Sequence, residues 1–143
     1  MTEPAADRQI RVVLADDQAL VRGALAALLS LEDGIDVVGE AGRGDELVTL
    51  VDEVRPDVAL VDIEMPGLDG IAATAQITAA HPDVACLIVT TFGRPGYLQR
   101  ALEAGARGFI VKETPADELA QAVRDVHAGK KVVDPALATE SLF

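Results

Sequence analysis

The stretch that decides the fold is Val58-Ala-Leu-Val-Asp62-Ile-Glu-Met-Pro66-Gly-Leu-Asp-Gly70. Four apolar residues lead directly into the carboxylate of Asp62, and the proline and glycines that follow prevent the strand from continuing. A short, uninterrupted apolar run of this kind is typical of a strand buried on both faces of a parallel sheet. Because open α/β sheets bind ligands at the carboxyl ends of their strands, Asp62 lies where a ligand is expected. A lone aspartate can also simply begin a turn.

On both sides of this stretch the chain alternates between strand and helix patterns. Apolar residues at helical spacing follow each of the predicted strands, which are residues 10–15, 35–41, 58–61, 84–90 and 108–112. Helices are predicted from about residue 18 until Gly34 stops the first, then over 45–54, 70–80, from 95 to about 104, and 115–127. This alternation predicts a single-domain, flavodoxin-like (βα)5 fold, a doubly wound parallel sheet with strand order 2-1-3-4-5.

Composition and charge limit the possible functions. Of the 143 residues half are apolar, while 24 acidic residues against 12 basic ones give a formal charge of −12. Such a chain repels phosphate backbones, which disfavours direct nucleic-acid binding by this segment. Residues 1–9 lack a secretory core, and no apolar run approaches the roughly 20 residues that span a bilayer. The lone Cys86 lies in an apolar run, which predicts a core residue in a reducing compartment. We expect a cytoplasmic protein without membrane contact.

The predicted strand order brings several polar residues to one rim of the sheet. Strands one and three are neighbours in that order, so Asp16 and Asp17 meet Asp62, with Thr90 and Lys112 at the ends of the next two strands. Each residue has a simpler interpretation: the aspartate pair could cap a helix, Thr90 could end a strand, and Lys112 could be solvated. The coincidence of all of them at strand ends favours a functional site.

These residue types are suited to phosphoryl chemistry. Three carboxylates on one rim repel each other unless a cation lies among them, and hard oxygen ligands suit Mg²⁺. Lys112 and the hydroxyl of Thr90 could contact phosphoryl oxygens. A carboxylate such as that of Asp62 can act as a nucleophile and form an acyl phosphate.

The chain resembles the receiver domain of bacterial two-component response regulators over nearly its whole length. The residues that carry the resemblance are Leu14-Ala-Asp16-Asp17, Leu60-Val-Asp62-Ile-Glu-Met-Pro66-Gly-Leu-Asp-Gly70, Ile88-Val-Thr90-Thr91 and Ala104-Gly-Ala-Arg-Gly-Phe109-Ile-Val-Lys112. The resemblance implies that Asp62 accepts a phosphoryl group from the phosphohistidine of a sensor histidine kinase. It also implies a phosphoacceptor signalling domain, with self-catalysed phosphorylation and dephosphorylation, and not an enzyme.

The same resemblance implies further roles for individual residues. Mg²⁺ would be coordinated by Asp17, Asp62 and the backbone carbonyl of Glu64, with Asp16 acting mainly through a coordinated water. Thr90 and Phe109 would form a switch pair, in which Thr90 moves toward the phosphoryl group and the ring turns inward. The side chain of Glu64 adds a carboxylate near the phosphoryl position, which could slow transfer or hydrolysis.

The finer pattern is similar to that of NarL/FixJ-type regulators, whose output is a LuxR-like helix-turn-helix domain. It comprises Thr90-Thr91-Phe92, Lys112-Glu113 in place of the commoner Lys-Pro, and the tail 129–137. We therefore expect a disordered tail over 1–9, a receiver domain over 10–130, and over 131–143 the start of a linker to a DNA-binding domain absent from this chain. Residues 135–142 could form a linker helix.

Two partners follow from this resemblance besides the kinase. One is DNA, contacted only through the absent domain, in the regulation of transcription. The other is a second copy of the chain, in a phosphorylation-dependent dimer through helix four, strand five and helix five, or through helices one and five.

Other functions of similar folds fit these residues less well. Glu64 stands where phosphatases of the haloacid dehalogenase kind carry a second aspartate, and nucleotide or flavin binders need a glycine or hydroxyl loop where this chain has carboxylates. A stand-alone or atypical receiver that acts as a protein-binding module stays open, although the intact set of site residues argues against a degenerate one.

Overall fold

The computed structural model describes residues 9–91 and 96–134. The strands are β1 (Ile10–Ala15), β2 (Ile35–Ala41), β3 (Val58–Val61), β4 (Ala85–Thr90), β5 (Gly108–Val111) and β6 (Val132–Val133). The helices are α1 (Ala19–Ser30), α2 (Gly44–Val54), α3 (Gly70–Ala80), α4 (Tyr97–Glu103) and α5 (Ala116–His127). The predicted alternation of strand and helix is confirmed, with boundaries that differ by up to three residues, the largest difference being at the end of α1.

All strands of the described residues form one parallel sheet in the order β2-β1-β3-β4-β5-β6. This confirms the predicted order 2-1-3-4-5 and adds one strand to it. The extra strand β6 follows α5 and pairs along the far side of β5, where the amide of Val132 donates to the carbonyl of Arg107 (3.0 Å). Its two residues are too few to show a periodicity, so the sequence assigned them to the linker.

The sheet is covered on both faces, as the uninterrupted apolar strands predicted. Every residue of β3 and β4 is buried. On one face the core includes Leu47 and Val51 of α2 and Ile77 of α3. On the other face it includes Leu29 of α1 and Val123 of α5. The fold is therefore doubly wound, and its central strands deliver their carboxyl ends to one rim.

The remaining sequence predictions have mixed outcomes. Cys86 is completely buried in the core, as expected. The peptide bonds of the described residues are all trans, including the one that follows Lys112. Residues 1–8 of the expected tail and the possible linker helix over 135–142 lie outside the described residues. Among the described residues, the helices are too short or too polar to cross a membrane.

Candidate functional site

The three predicted carboxylates meet at the rim of the sheet. Asp16 and Asp17 follow β1, and Asp62 follows the neighbouring strand β3, whose last residue Val61 pairs with Ala15. Each of the three carboxylates offers an oxygen, and these oxygens lie within 4.8 Å of one another. Asp16 and Asp62 are buried, whereas Asp17 is exposed. The parallel register thus brings together residues that are about 45 positions apart in the chain.

The predicted lysine reaches this cluster from two strands away. The backbone amide of Lys112 donates to the carbonyl of Thr90 (2.8 Å), which fixes the stem of the lysine at the end of β5. Its Nζ lies 2.9 Å from Asp16 Oδ2 and 3.2 Å from Asp62 Oδ2. Lys112 therefore bridges two of the three carboxylates and balances part of their charge.

Burial and charge shift the two central groups in the same direction. For Asp62, loss of hydration raises the carboxyl pKa above its ordinary value; Lys112 opposes this shift, and Asp16 and Asp17 add to it. For Lys112, burial alone would lower the pKa, but the bonds and charges of Asp16 and Asp62 outweigh it, so the net pKa is raised. The lysine therefore stays protonated at neutral pH. Ionisation of Asp62, in contrast, costs more free energy in the folded chain than in an exposed aspartate.

An open cleft of roughly 380 Å³ lies over Asp62. It is lined by Asp17, Gln18, Asp62, Glu64, Thr90, Thr91 and Lys112. Thr90 is buried at the end of β4 and faces this cleft, so the structure brings it together with the acidic cluster. The side chain of Glu64 is exposed at the same cleft. A cleft lined by oxygen atoms and one ammonium suits a metal ion together with an anionic group.

Phe109, the other predicted switch residue, does not line the cleft. It pairs with Ile88 in the sheet, and its side chain is fully buried in the core with Ala101 and Ala106. The ring is therefore enclosed in the core, and its part in a switch stays a prediction.

The turn after Asp62 is closed by a glycine. A Cβ on Gly70 would lie 2.0 Å from the carbonyl oxygen of Asp62, and the amide of Gly70 donates to the carbonyl of Ile63 (2.8 Å). Asp69 then caps α3 by accepting from the amide of Ala72 (2.8 Å). The sequence showed Gly70 as the end of the loop, but only the fold shows that a larger residue there would displace the backbone of Asp62.

Arg22 and Gln18 contact the site and were missed by the sequence reasoning. The amide of Gln18 donates to Asp16 Oδ1 (2.9 Å), and Arg22 Nη1 donates to the carbonyl of Asp16 (2.6 Å). The bond from Gln18 follows from the usual preference of aspartate for the amide two residues ahead. Arg22 gave no signal of its own, because one arginine in a helix is indistinguishable from an ordinary surface residue.

The donor set fits a hard divalent cation. Three carboxylate oxygens lie close enough to share one ion, and two of the three side chains are buried, so their mutual repulsion is only partly screened by water. The part of the chain that the structure describes therefore brings together three carboxylates that could share one metal ion, and the role of the Glu64 backbone carbonyl stays a prediction.

Comparisons with known proteins agree with this geometry. The family model described as response regulator receiver domain matches residues 12–124. The transcriptional regulatory protein DesR of Bacillus subtilis is 44% identical over 130 residues, which cover 90% of this chain and 63% of that protein. The chain thus spans about three fifths of the length of the curated relatives it matches.

Solved structures show the same fold. The signal receiver domain of the response regulator NarL from Mycobacterium tuberculosis superimposes with a TM-score of 0.83 at 35% identity, covering 86% of this chain and 99% of that one. A LuxR-family response regulator from Aurantimonas sp. gives a TM-score of 0.87 at 33% identity, covering 94% of this chain and 96% of that one. The residues that the family model matches, 12–124, include the whole acidic cluster.

Proposed function

The chain belongs to the response regulator receiver domain family, among relatives of the NarL/LuxR type, and on that basis we propose that Asp62 accepts a phosphoryl group from a phosphohistidine of a sensor histidine kinase. The observation that carries the proposal is the position of the Asp62 carboxylate. It lies at the end of a central strand, under an open cleft, beside two further carboxylates and within 3.2 Å of the Lys112 ammonium.

The transfer requires an ionised and accessible oxygen on Asp62. One carboxylate oxygen attacks phosphorus, the bond between phosphorus and the imidazole nitrogen breaks, and the electron pair leaves with that nitrogen. Because burial raises the pKa of Asp62, its carboxylate is a stronger base than an ordinary aspartate, and the pairing with Lys112 favours its ionised form.

Asp16, Asp17 and Asp62, with the backbone carbonyl of Glu64, would hold Mg²⁺, which when bound neutralises charge on the phosphoryl oxygens. Lys112 would contact one phosphoryl oxygen and the hydroxyl of Thr90 another, since both line the cleft over Asp62. These groups belong to the same chain that becomes modified. The protein would therefore catalyse its own phosphorylation and dephosphorylation, and would not turn over as an enzyme does.

The output would be a population shift between two arrangements of the rim. New charge on Asp62 would attract Lys112 and Thr90 and favour one position of the neighbouring Phe109 ring. The change would pass through a linker beyond β6 to a helix-turn-helix DNA-binding domain, and so control transcription in the cytoplasm. A stand-alone or atypical receiver that only binds other proteins is the alternative.

Phosphorylation is expected to promote a homodimer. Two surfaces are available, one formed by α4, β5 and α5 and the other by α1 and α5. Leu28 and Leu31 are exposed near the place where Arg124 of α5 meets Glu32 (3.6 Å), which supports the second surface. Analytical ultracentrifugation with Mg²⁺, with and without beryllofluoride, tests the dimer, and Leu31→Glu tests the surface. A monomer under both conditions would refute this output.

Intact mass after incubation with Mg²⁺ and acetyl phosphate tests the proposed function itself. The parent chain is expected to gain one phosphoryl mass, and Asp62→Asn is expected to gain none. Asp69→Asn is the matched control, because it removes a nearby carboxylate while its amide oxygen can still cap α3. A parent chain that neither gains the mass nor binds beryllofluoride would overturn the proposal and favour the protein-binding alternative.

A further inference from the structure

A basic side chain from α1 holds the turn that carries Asp16 and Asp17. Arg22 Nη1 donates to the backbone carbonyl of Asp16 (2.6 Å), and Arg22 Nε donates to Glu40 Oε1 (3.2 Å). The side chain of Arg22 is 21% exposed, so most of it is enclosed between these partners. One guanidinium therefore ties together α1, the turn after β1 and the end of β2.

The bond from Arg22 completes the hydrogen bonding of Asp16. The amide of Asp16 donates to the carbonyl of Ala41 (3.1 Å), and its Oδ1 accepts from the amide of Gln18 (2.9 Å). Its Oδ2 faces Lys112 at 2.9 Å. With Arg22 on the carbonyl, the backbone of Asp16 is fixed on both sides, and one of these bonds is a charge-assisted one, which is stronger than a bond between neutral groups.

The absence of a side chain at Gly42 leaves room for this guanidinium. A Cβ at that position would lie 3.1 Å from Arg22 Nη1, which is tighter than an ordinary contact. Glu40, two residues earlier at the end of β2, orients the same group through its carboxylate. The arginine is thus positioned by its neighbours, as expected of a group whose geometry matters.

We propose that Arg22 is a positioning residue for the metal site: by fixing the turn after β1, it presents the carboxylates of Asp16 and Asp17 to Mg²⁺. This inference rests on the proposed function, since it concerns the same site. Arg22 acts through the backbone of Asp16 and contacts neither the metal nor the phosphoryl group.

The sign of the effect distinguishes this role from simple electrostatics. A positive charge near the acidic cluster repels a divalent cation, so charge alone predicts that removal of Arg22 tightens Mg²⁺ binding. If Arg22 positions the turn, its removal should instead weaken Mg²⁺ binding, because a turn that Arg22 no longer holds must be ordered when the ion binds.

Mg²⁺ binding to the full 143-residue chain, measured by isothermal titration calorimetry, tests the proposal. Arg22→Met keeps the length of the apolar stem and is expected to raise the Kd about tenfold, a typical loss for a residue that orients a metal ligand. Arg22→Lys keeps the charge, so any loss of affinity in this variant reports geometry alone; we expect about threefold. Arg107→Met removes an arginine that donates to the carbonyl of Pro82 (2.9 Å) outside the site, and should stay within about twofold of the parent.

Thermal unfolding without Mg²⁺ is measured in parallel for all four proteins. A lower Tm for Arg22→Met with an unchanged Kd, measured well below that Tm, would show a merely structural role and overturn the proposal. A lower Kd would show that only the charge of Arg22 matters, and would overturn it as well. A parent chain that binds no Mg²⁺, like Asp17→Asn as the negative control, would instead refute the proposed metal site itself.

Discussion

The rim of the sheet has two halves that are built differently. The acidic half, at the ends of β1 and β3, consists of Asp16, Asp17 and Asp62. The switch half, at the ends of β4 and β5, consists of Thr90 and Lys112. The acidic half is held by backbone contacts within and around its turns, whereas the lysine of the switch half reaches across through a long side chain.

The two halves differ in charge and in the length of their side chains. The acidic half carries excess negative charge, which the Lys112 ammonium balances in part. The switch half supplies a cation on a flexible stem, which can be redirected when a new anion arrives. Fixed carboxylates with a movable ammonium are suited to sensing a change in the charge of Asp62.

Substitution of Lys112 removes the contacts between the two halves, and we expect it to have the largest effect on phosphorylation. Lys112→Met is expected to slow phosphorylation of Asp62 by acetyl phosphate about a hundredfold, as for the loss of one donor to a developing anion. The same variant should bind Mg²⁺ more tightly, because the ammonium no longer competes for Asp16 and Asp62. Single-turnover mass spectrometry and calorimetry measure the two effects.

The matched control for that prediction is Lys131→Met, which removes an exposed lysine outside the site and should change neither quantity. If Lys112→Met weakened Mg²⁺ binding, Lys112 would help to hold the carboxylates in place. The proposed difference between the two halves would then be wrong.

Helix α2 packs closely against the loop that follows Asp62, and Gly44 makes this contact possible. A Cβ on Gly44 would lie 1.6 Å from the carbonyl oxygen of Leu68, in the loop that follows Asp62. Gly44→Ala must therefore separate α2 from this loop and should lower the free energy of unfolding by about 2 kcal/mol.

Gly23→Ala is the matched substitution within α1, where the added Cβ meets nothing within 4 Å. It should raise the free energy of unfolding by about 0.5–1 kcal/mol, since alanine is the better helix residue. Urea denaturation measures both variants. Equal effects of the two substitutions would contradict the tight contact between α2 and the loop.

The cost of ionising Asp62 can be measured through pH. Because its pKa is raised in the folded state, the folded chain binds the proton more readily than the unfolded chain, so ionisation destabilises the fold above that pKa. The penalty vanishes below the ordinary value for aspartate. Without Mg²⁺, the Tm of Asp62→Asn minus that of the parent should therefore decrease as the pH falls through this range. A difference that grows on acidification would refute the raised pKa.

The smallest effect is expected at β6, which extends the switch half. The amide of Asp134 donates to the carbonyl of Phe109 (3.0 Å), whereas the amide of Val133 faces away from β5 because alternate amides of a parallel strand share a direction. Asp134→Pro should lower the free energy of unfolding by about 1 kcal/mol through the lost bond. Val133→Pro should cost less.

Asp134→Ala is the control for this pair, because it removes the carboxylate and keeps the amide. Chemical denaturation of the three variants decides the outcome. If the two prolines cost the same, the amide of Asp134 would contribute nothing to the attachment of β6.

Much of the fold could be predicted because its signals are local. The uninterrupted apolar strands predicted a sheet covered on both faces, and the alternation of strand and helix predicted that the sheet is parallel. The two-residue strand β6 could not be predicted, since its pairing depends on where α5 ends and on the open side of β5. The contacts of Arg22 could not be predicted either, because its partners lie on another strand and in a turn.

Residue type and position along the chain show which residues have the right chemistry: carboxylates after two strands, a threonine at the end of a third and a lysine at the end of a fourth. Tertiary structure decided what each one contacts. It joined Lys112 to Asp16 and Asp62, buried the ring of Phe109 in the core, and set Arg22 on the backbone of Asp16. The physical reason is that residue type and local spacing are written along the chain, whereas distances, burial and pKa shifts arise only when distant segments are packed together.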